Sequence, residues 1–363
     1  MGKRFPTDSR RVTIADVAAL AGVSKGTVSK FLGDGDYYIA EATRDRIAAA
    51  IEELDFQPNA IARGLVQRRT QTVGVVVASV LNPLYPELIT GIDEVLGDSG
   101  YTLIFGTTEG SPDKEAAVVR SMQQRQVDGV IMASVTLQDG EVEQLVSAGL
   151  DVVLASRHLK RNGFVDAVII DNEDGARQAV EHLIAHGHKR IGHVSGPQNV
   201  YPFEIRRVTY EEVMVQAGLD PGLIANAPTT RQGDGAAAMG ELLDGPEPPS
   251  AVFIASDGLA MGALEACAER GLRIPEDIAI VGFDNIWVAG IHGVQLTTVD
   301  SQARDIGRRA ARQLLDKIER RRAGDGASVS AETLVLPTRL IRRRSCGCQT
   351  AMSPPGSDVS GAR

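Results

Sequence analysis

At 363 residues with 43% hydrophobic side chains, the chain can build two or three domains with packed cores. It has no run of about 18 apolar residues, which excludes a membrane-spanning helix, and its polar, basic start MGKRFPTDSRR lacks the apolar centre of a signal peptide, so a cytoplasmic protein is expected. The net charge of −9 is unevenly spread: residues 1–70 carry 11 Lys/Arg against 9 Asp/Glu and the remainder 27 against 38, so the body repels phosphate and only the N-terminal part can meet it.

The first element signals lie in Val12–Leu32. Ile14, Val17, Ala18 and Ala21 share one helical face, Thr13 stands as N-cap, and Asp16 takes a capping-box place three residues on. Gly22 supplies the turn, and Ser24 caps a second helix whose Val28 and Phe31 or Leu32 pack back on the first. Lys25, Thr27 and Lys30 are left on the outer face, with Ser29 at its edge. This pattern is a helix-turn-helix sized for a major groove; for this stretch alone, a plain helical hairpin is the alternative. Ala40–Leu54 reads as a third amphipathic helix. The following connector holds Pro58–Val66, too short a helix to stand alone and weakened further by Gly64, so it should order only beside a second copy on DNA.

From Thr72 the chain alternates short apolar strands with amphipathic helices. Strands are expected at Val73–Ala78, Thr102–Phe105, Gly129–Ala133, Val152–Ala155, Ala167–Ile170, Ile191–Val194, Ala251–Ala255, Ile278–Gly282 and Thr333–Leu340. Alternation of this kind means an α/β body of parallel sheets flanked by helices, and about ten strands fit two sheets in two lobes better than one. The tail Thr350–Arg363 has too little apolar surface to fold, so disorder is expected for residues 349–363.

Three features occur together and in order: T-I-x-D-V-A-x-x-A-G-V-S-x-x-T-V-S from Thr13, Q-P-N-A-x-A-R-x-L from Gln57, and an immediate apolar strand. Through them Val12–Val77 resembles the LacI/GalR family of bacterial transcription regulators, and the resemblance runs on to about Cys348. It implies a small all-α head over residues 11–57, a hinge helix and linker over 58–71, and a two-lobed, periplasmic-binding-protein-like body over 72–344. Lobe 1 would take about 72–170 and 301–328, and lobe 2 about 171–300 and 329–344, with crossings near Asp171, Asp300 and Val329.

The resemblance also implies roles for single residues. In the family the second helix enters the major groove, which puts Lys25, Gly26 and Lys30 at the base edges and the hydroxyls of Thr27 and Ser29 near phosphate. Gly26 has no side chain to read a base, and Lys30 replaces a common arginine, losing its fork. Leu65 matches the leucine that paired hinge helices wedge into the minor groove; Thr13, Ser24, Asn59 and Arg63 complete the expected contact set.

Ligands of open α/β sheets bind beyond the carboxyl ends of the strands. Asn82 and Tyr85, Ser156 and Arg157, Ser256 and Asp257, and Asp284 and Asn285 each follow an expected strand. By resemblance Arg206 and Asp284 lead the candidates for contacts to sugar hydroxyls, before Arg157, Ser256 and Tyr85; Asp257 is expected mainly to cap the helix after it. Many relatives carry an aromatic residue after the Gly-Asp that matches Gly233-Asp234; here it is Gly235, which leaves Trp287, Phe203 or Tyr85 to supply a stacking face.

Cys267, the lone C-x-C of Cys346 and Cys348, and the run His182, His186, His188 are read as structural thiols and as packing or surface histidines, with no metal and no cofactor. No G-x-S-x-G, P-loop or helix-opening G-x-G-x-x-G is present, so no enzyme is expected. The reading is a DNA-binding regulator, more in keeping with a repressor, that acts as a homodimer on a near-palindromic operator and answers to a small ligand, a sugar by preference. Inducer and corepressor are both compatible with it. A solute receptor built on the same body is the rival, and the DNA-reading head opposes it.

Overall fold

A computed structural model describes residues 12–32, 37–57, 69–134, 139–157, 164–324 and 331–348, in two units divided between Thr70 and Gln71. The hinge candidates Asn59, Arg63 and Leu65, and the tail, lie outside the described residues.

The first unit is three helices, α1 (Ile14–Ala21), α2 (Lys25–Leu32) and α3 (Glu41–Glu53). Val17, Ala18, Ala21, Val28, Ile47, Ala50 and Phe56 form its core, with both Phe31 and Leu32 packed on the rim. At the start of α1, Asp16 accepts the Thr13 amide at 2.8 Å and the Thr13 hydroxyl at 2.6 Å. Gly22 ends α1 in the left-handed region at φ 63°, which a side chain would resist. These local devices set the angle between α1 and α2, and burial of the Val17 and Val28 side chains holds it, each worth about 1.5–3 kcal/mol.

The second unit runs β1 (Thr72–Val77), α4 (Leu84–Asp98), β2 (Thr102–Thr107), α5 (Pro112–Gln124), β3 (Gly129–Met132), α6 (Asp139–Ser147), β4 (Val152–Ala155) and β5 (Asp166–Ile170) in its first half. The second half runs α7 (Asn172–Ala185), β6 (Ile191–Ser195), α8 (Tyr201–Gln216), β7 (Ile224–Asn226), α9 (Gln232–Leu243), β8 (Ala251–Ile254), α10 (Asp257–Glu269), β9 (Ala279–Asp284) and β10 (Thr297–Asp300). After it come α11 (Ala303–Arg322), β11 (Thr333–Leu336) and β12 (Arg339–Ile341). The strands make two six-stranded sheets of matching order, β2-β1-β3-β4-β5-β11 and β7-β6-β8-β9-β10-β12. Every neighbouring pair is parallel except β10 and β12. In β1, Val73, Val75 and Val77 join one core cluster while Val76 joins another; β8 divides Ala251 and Phe253 from Val252 and Ile254 in the same way. Both faces are covered, which is why these strands read as unbroken apolar runs.

The expected last crossing is corrected. Thr333–Leu340 is not one strand of lobe 2 entered near Val329: it is cut at Pro337, which has no N–H to give a ladder. β11 lies parallel to β5, with Thr333 opposite Ala167, and so belongs to lobe 1; only β12 joins lobe 2, antiparallel to β10. The third crossing is therefore at Pro337–Thr338, beside the first: Asp171 donates its amide to the Leu336 carbonyl at 3.0 Å, and the Thr338 hydroxyl lies 3.0 Å from an Asp174 carboxylate oxygen.

β7 and β10 were not among the expected strands. β7 is three residues long, and β10 is the polar run TTVD, whose Thr297 and Thr298 are wholly buried. Burial is tolerated because the hydroxyls are bonded, Thr297 to the Arg343 carbonyl at 3.1 Å and Thr298 to Asp257 at 2.7 Å.

Candidate functional site

On the head, Lys25, Gly26, Ser29 and Lys30 are exposed on the face of α2 opposite Val28. The Ser24 oxygen accepts the Thr27 amide at 3.1 Å and lies 2.9 Å from the Thr27 hydroxyl, so this pair serves first to start α2. Thr13 does the same for α1. The Lys30 ammonium stands 5.0 Å from the centre of the Tyr37 ring. A Cβ on Gly26 would meet only the Ser24 hydroxyl, at 3.6 Å, so packing does not impose glycine there. Sequence reasoning passed over Tyr37 and Tyr38, although Tyr38 is 96% exposed; two adjacent aromatics in a polar stretch were the available signal.

On the body, the strand ends of both lobes converge on one cleft. Its floor is lined by Asn82, Tyr85, Ser156, Arg157, Phe203, Arg206, Thr230, Ser256 and Asp284, and it opens into a hollow of ≈ 150 Å³. Arg206, on α8, is held by its Nε donating to Asn172 at 2.9 Å, its Nη1 donating to the Ala255 carbonyl at 2.6 Å, and the Phe283 ring, whose centre is 3.5 Å from the guanidinium carbon. Its charge partner Asp284 is 3.8 Å away, and both are almost fully buried. Burial raises the Asp284 carboxyl to about 6 against the pull of Arg206 and Arg157, and lowers Arg206 to about 10, still cationic at neutral pH. The pair is long, and both groups line the cleft.

Arg157, from the other lobe, donates to the Ala133 carbonyl and to the Tyr85 hydroxyl, each at 3.3 Å, and lies 5.8 Å from the centre of Phe203. Asp284 and Asn285 both have positive φ, at 125° and 57°. Such backbone costs about 1–3 kcal/mol per residue and is held here by the surroundings: Ser301 donates to the Asp284 carbonyl at 2.9 Å and Arg343 to the Asn285 side chain at 2.7 Å.

Tyr85, Asn82, Arg157, Arg206, Ser256 and Asp284 share one lining, while two candidates lie outside it. Asp257 does not line the cleft: it is wholly buried, and its two oxygens accept the Thr298 hydroxyl at 2.7 Å and the Ile286 amide at 3.0 Å. Burial, with Asp284 adding to it, pushes its carboxyl well above the ordinary value. Its role is to tie α10 to β10 and to the turn after β9. Trp287 stands on a 3-10 turn, 65% exposed, away from the cleft lining; the aromatic residues of that lining are Phe203 and Tyr85.

The expectation built on Gly235 also changes. A Cβ there would lie 2.2 Å from the Leu259 carbonyl oxygen, and one on Gly262 would lie 1.8 Å from that of Gln232. The two glycines let α9 and α10 touch backbone to backbone, so position 235 has no room for an aromatic. Asn172 was missed. It comes two residues after β5, in line with the strand-end rule that found the others, and it is bonded to the cleft residue Arg206.

Away from the cleft, His182, His186, Cys346 and Cys348 bring one ligand atom each to within 4.8 Å of one another, a group that the sequence presents as two unrelated halves. His188 is not part of it and pairs with the Ser250 hydroxyl at 3.0 Å.

Residues 13–59 match the family model described as bacterial regulatory proteins, lacI family, and residues 180–346 match the periplasmic binding protein-like domain. The chain is 35% identical over 337 residues to catabolite control protein A of Priestia megaterium, covering 92% of this chain and 99% of that protein. Among solved structures, the transcriptional regulator CelR–cellobiose complex is similar at TM-score 0.68 and 35% identity, over 92% of this chain and all of that one (100%). The lac repressor dimer bound to operator and the anti-inducer ONPF shares the fold at TM-score 0.81 and 24% identity, over 93% of this chain and 99% of that one.

Proposed function

The chain belongs to the lacI family of bacterial regulatory proteins, and from that premise we propose a transcriptional repressor whose grip on an operator is set by a sugar in the cleft. The observation that carries this reading is one chain holding both parts: a head with Lys25 and Lys30 exposed on its second helix, and a cleft lined by the buried pair Arg206 and Asp284. It is a regulator, not an enzyme. It works in the cytoplasm, where its DNA is; no helix among the described residues is long and apolar enough to cross a membrane.

A homodimer presents two heads to two half-sites of a near-palindromic operator. Lys25 and Lys30 meet bases or phosphates, Ser29 and Thr27 support them, and Asn59, Arg63 and Leu65 act from the hinge, with Leu65 wedged into the minor groove. In the cleft, Arg206 and Asp284 take adjacent hydroxyls and Arg157 grips from the facing lobe, while Phe203 and Tyr85 cover the C–H face of the ring. The sugar of the CelR–cellobiose complex supports the class of ligand, and the lac repressor dimer on operator supports the assembly. The effector acts only by binding one lobe arrangement better than the other, with coupling of about 1–3 kcal/mol, or roughly 5–150-fold in operator affinity.

The test is a thermal-shift screen of the full chain against sugars, sugar phosphates and nucleosides, with hits then added to operator-binding titrations at several salt concentrations. A sugar that raises the melting point and changes operator affinity is expected. Binding of a sugar with no change in operator affinity, or DNA binding without sequence preference, overturns the reading, and turnover of the sugar would replace it with an enzyme.

A further inference from the structure

Four side chains distant in sequence meet where α7 ends. His182 and His186 stand one turn apart at the end of α7, and Cys346 and Cys348 follow β12, separated by Gly347 in the left-handed region at φ 85°. The Cys348 sulfur lies 3.5 Å from His182 Nε2 and 3.4 Å from His186 Nε2. Two imidazole nitrogens face the Cys348 sulfur, and with the Cys346 sulfur all four ligand atoms lie within 4.8 Å of one another, a cluster of the size that one cation fills. A single cation satisfies all four groups at once. Tetrahedral zinc, with Zn–S near 2.3 Å and Zn–N near 2.0 Å, sets ligand atoms about 3.3–3.8 Å apart, the range of both sulfur–nitrogen separations here.

The surroundings also orient the ligands. His186 Nδ1 lies 2.9 Å from the His182 carbonyl oxygen and must carry its proton there, which leaves the Nε2 lone pair facing Cys348. The Cys346 sulfur lies 3.0 Å from the Thr297 hydroxyl and 3.4 Å from the Arg343 carbonyl oxygen, contacts that fix its position. His182 and Cys346 are buried, Cys348 is partly buried and His186 is exposed, so the group stands where the body meets solvent.

We propose that His182, His186, Cys346 and Cys348 form a structural zinc site that fastens the C-terminal end of the folded body to the end of α7. Binding releases the two thiol protons to solvent and leaves a neutral Cys2His2 centre. Because the unfolded chain holds no such site, bound zinc stabilises the second lobe, and this holds whether or not the cleft takes a sugar.

The test uses the full chain, free of any polyhistidine tag and purified with zinc in the medium. About one zinc per chain is expected, against almost none in Cys346→Ser/Cys348→Ser and a full complement in Cys267→Ser. Replacing zinc with cobalt in the wild-type protein should give the intense visible bands of tetrahedral Co(II) with a thiolate charge-transfer band. His186→Ala, or chelator-treated wild type, serves if the double variant does not fold, and each should melt at a lower temperature than zinc-loaded protein. Zinc-free protein with both thiols reduced and no cobalt bands overturns the site, as does a Cys346–Cys348 disulfide or equal zinc in the double variant.

Discussion

Arg206→Lys separates holding a charge in the cleft from holding a fork there. In the wild-type chain Nε and Nη1 are committed to Asn172 at 2.9 Å and to the Ala255 carbonyl at 2.6 Å, and no protein partner of Nη2 is found among the described residues. The protein thus spends two of the three guanidinium nitrogens to aim the third. Lysine keeps the charge opposite Asp284 but has one nitrogen and no plane to lie on Phe283 at 3.5 Å. That nitrogen either replaces the internal bonds or reaches the ligand. Losing one charge-assisted hydrogen bond costs about 1.5–3 kcal/mol, so effector affinity should fall roughly 10- to 150-fold. The assay is calorimetric titration of the sugar that gives the largest thermal shift, with operator affinity measured without ligand. Ligand-free operator binding should stay near wild type, and release by the sugar should need a correspondingly higher concentration. An Arg206→Lys protein that folds and binds the sugar within about twofold of wild type would refute the aimed-fork account, since the expected loss is at least a full hydrogen bond.

Asp257→Ala strands the Thr298 hydroxyl and the Ile286 amide in the interior at about 1–3 kcal/mol each, so the denaturant midpoint should drop sharply; a change confined to sugar affinity would return Asp257 to the cleft. Gly235→Ala drives a methyl group against the Leu259 carbonyl oxygen, with a stability loss of about 1–3 kcal/mol measurable in urea; no loss means that α9 and α10 are further apart than the 2.2 Å Cβ approach implies. His193, stacked between Tyr210 and Phe253, has its pKa lowered by burial from 6.5 to about 3. Between those values the unfolded chain binds more protons than the folded one, so stability falls as the pH drops below 6.5, by about 2 kcal/mol at pH 5 from this residue alone. His193→Phe should flatten the loss between pH 7 and 5 by that amount in denaturant titrations, and an unchanged slope counts against a neutral buried imidazole. Lys25→Ala should lower the slope of log affinity against log salt by about one if the ammonium meets phosphate, whereas a shift in base preference at one operator position with the slope kept marks a base contact.

The elements that were legible are those whose signal is local. Thr13 with Asp16, Gly22 and Ser24 write α1, the turn and α2 within a dozen residues, and runs such as VGVVV or AVFIA suit only strands covered on both faces. The cleft was legible as far as the strand-end rule reaches: Arg157 comes two residues after β4, and Asp284 is the last residue of β9. The misses share the opposite property, because each depends on what a distant segment does. β10 is polar in sequence, and only its bonds to Asp257 and Arg343 make it a buried strand. Asp257 obeys the same strand-end rule as Asp284, yet Gly282, at whose Cβ position an Asp257 oxygen would lie 2.2 Å away, allows it to turn inward. Gly235 looked like a missing aromatic because nothing nearby in sequence reveals α10 against it. His182 and Cys348 are 166 positions apart, and no spacing rule for metal ligands spans such a gap.

The lobes are joined by three chain crossings and by a buried apolar cluster that holds residues of both sheets, while the side-chain contacts across the cleft mouth are weak enough for a ligand to reset. Arg157 lies against Phe203 across the cleft, and the mostly exposed Arg231 pairs with Glu109 at 3.3 Å. An exposed ion pair is worth about 0–1 kcal/mol and a partly wet cation–π contact about 0.5–1. Coupling of about 1–3 kcal/mol is of the same size as their sum, so these contacts cannot lock one arrangement against a bound effector. The rigid parts lie elsewhere: Arg206 is bound on three sides within lobe 2, and Arg157 is tied to Tyr85 and Ala133 within lobe 1. A ligand that bridges Arg206 and Arg157 therefore joins two stiff bodies through a compliant gap. Its binding energy is spent on their relative placement rather than on deforming either sheet, and so a small molecule can bias the whole body toward one arrangement.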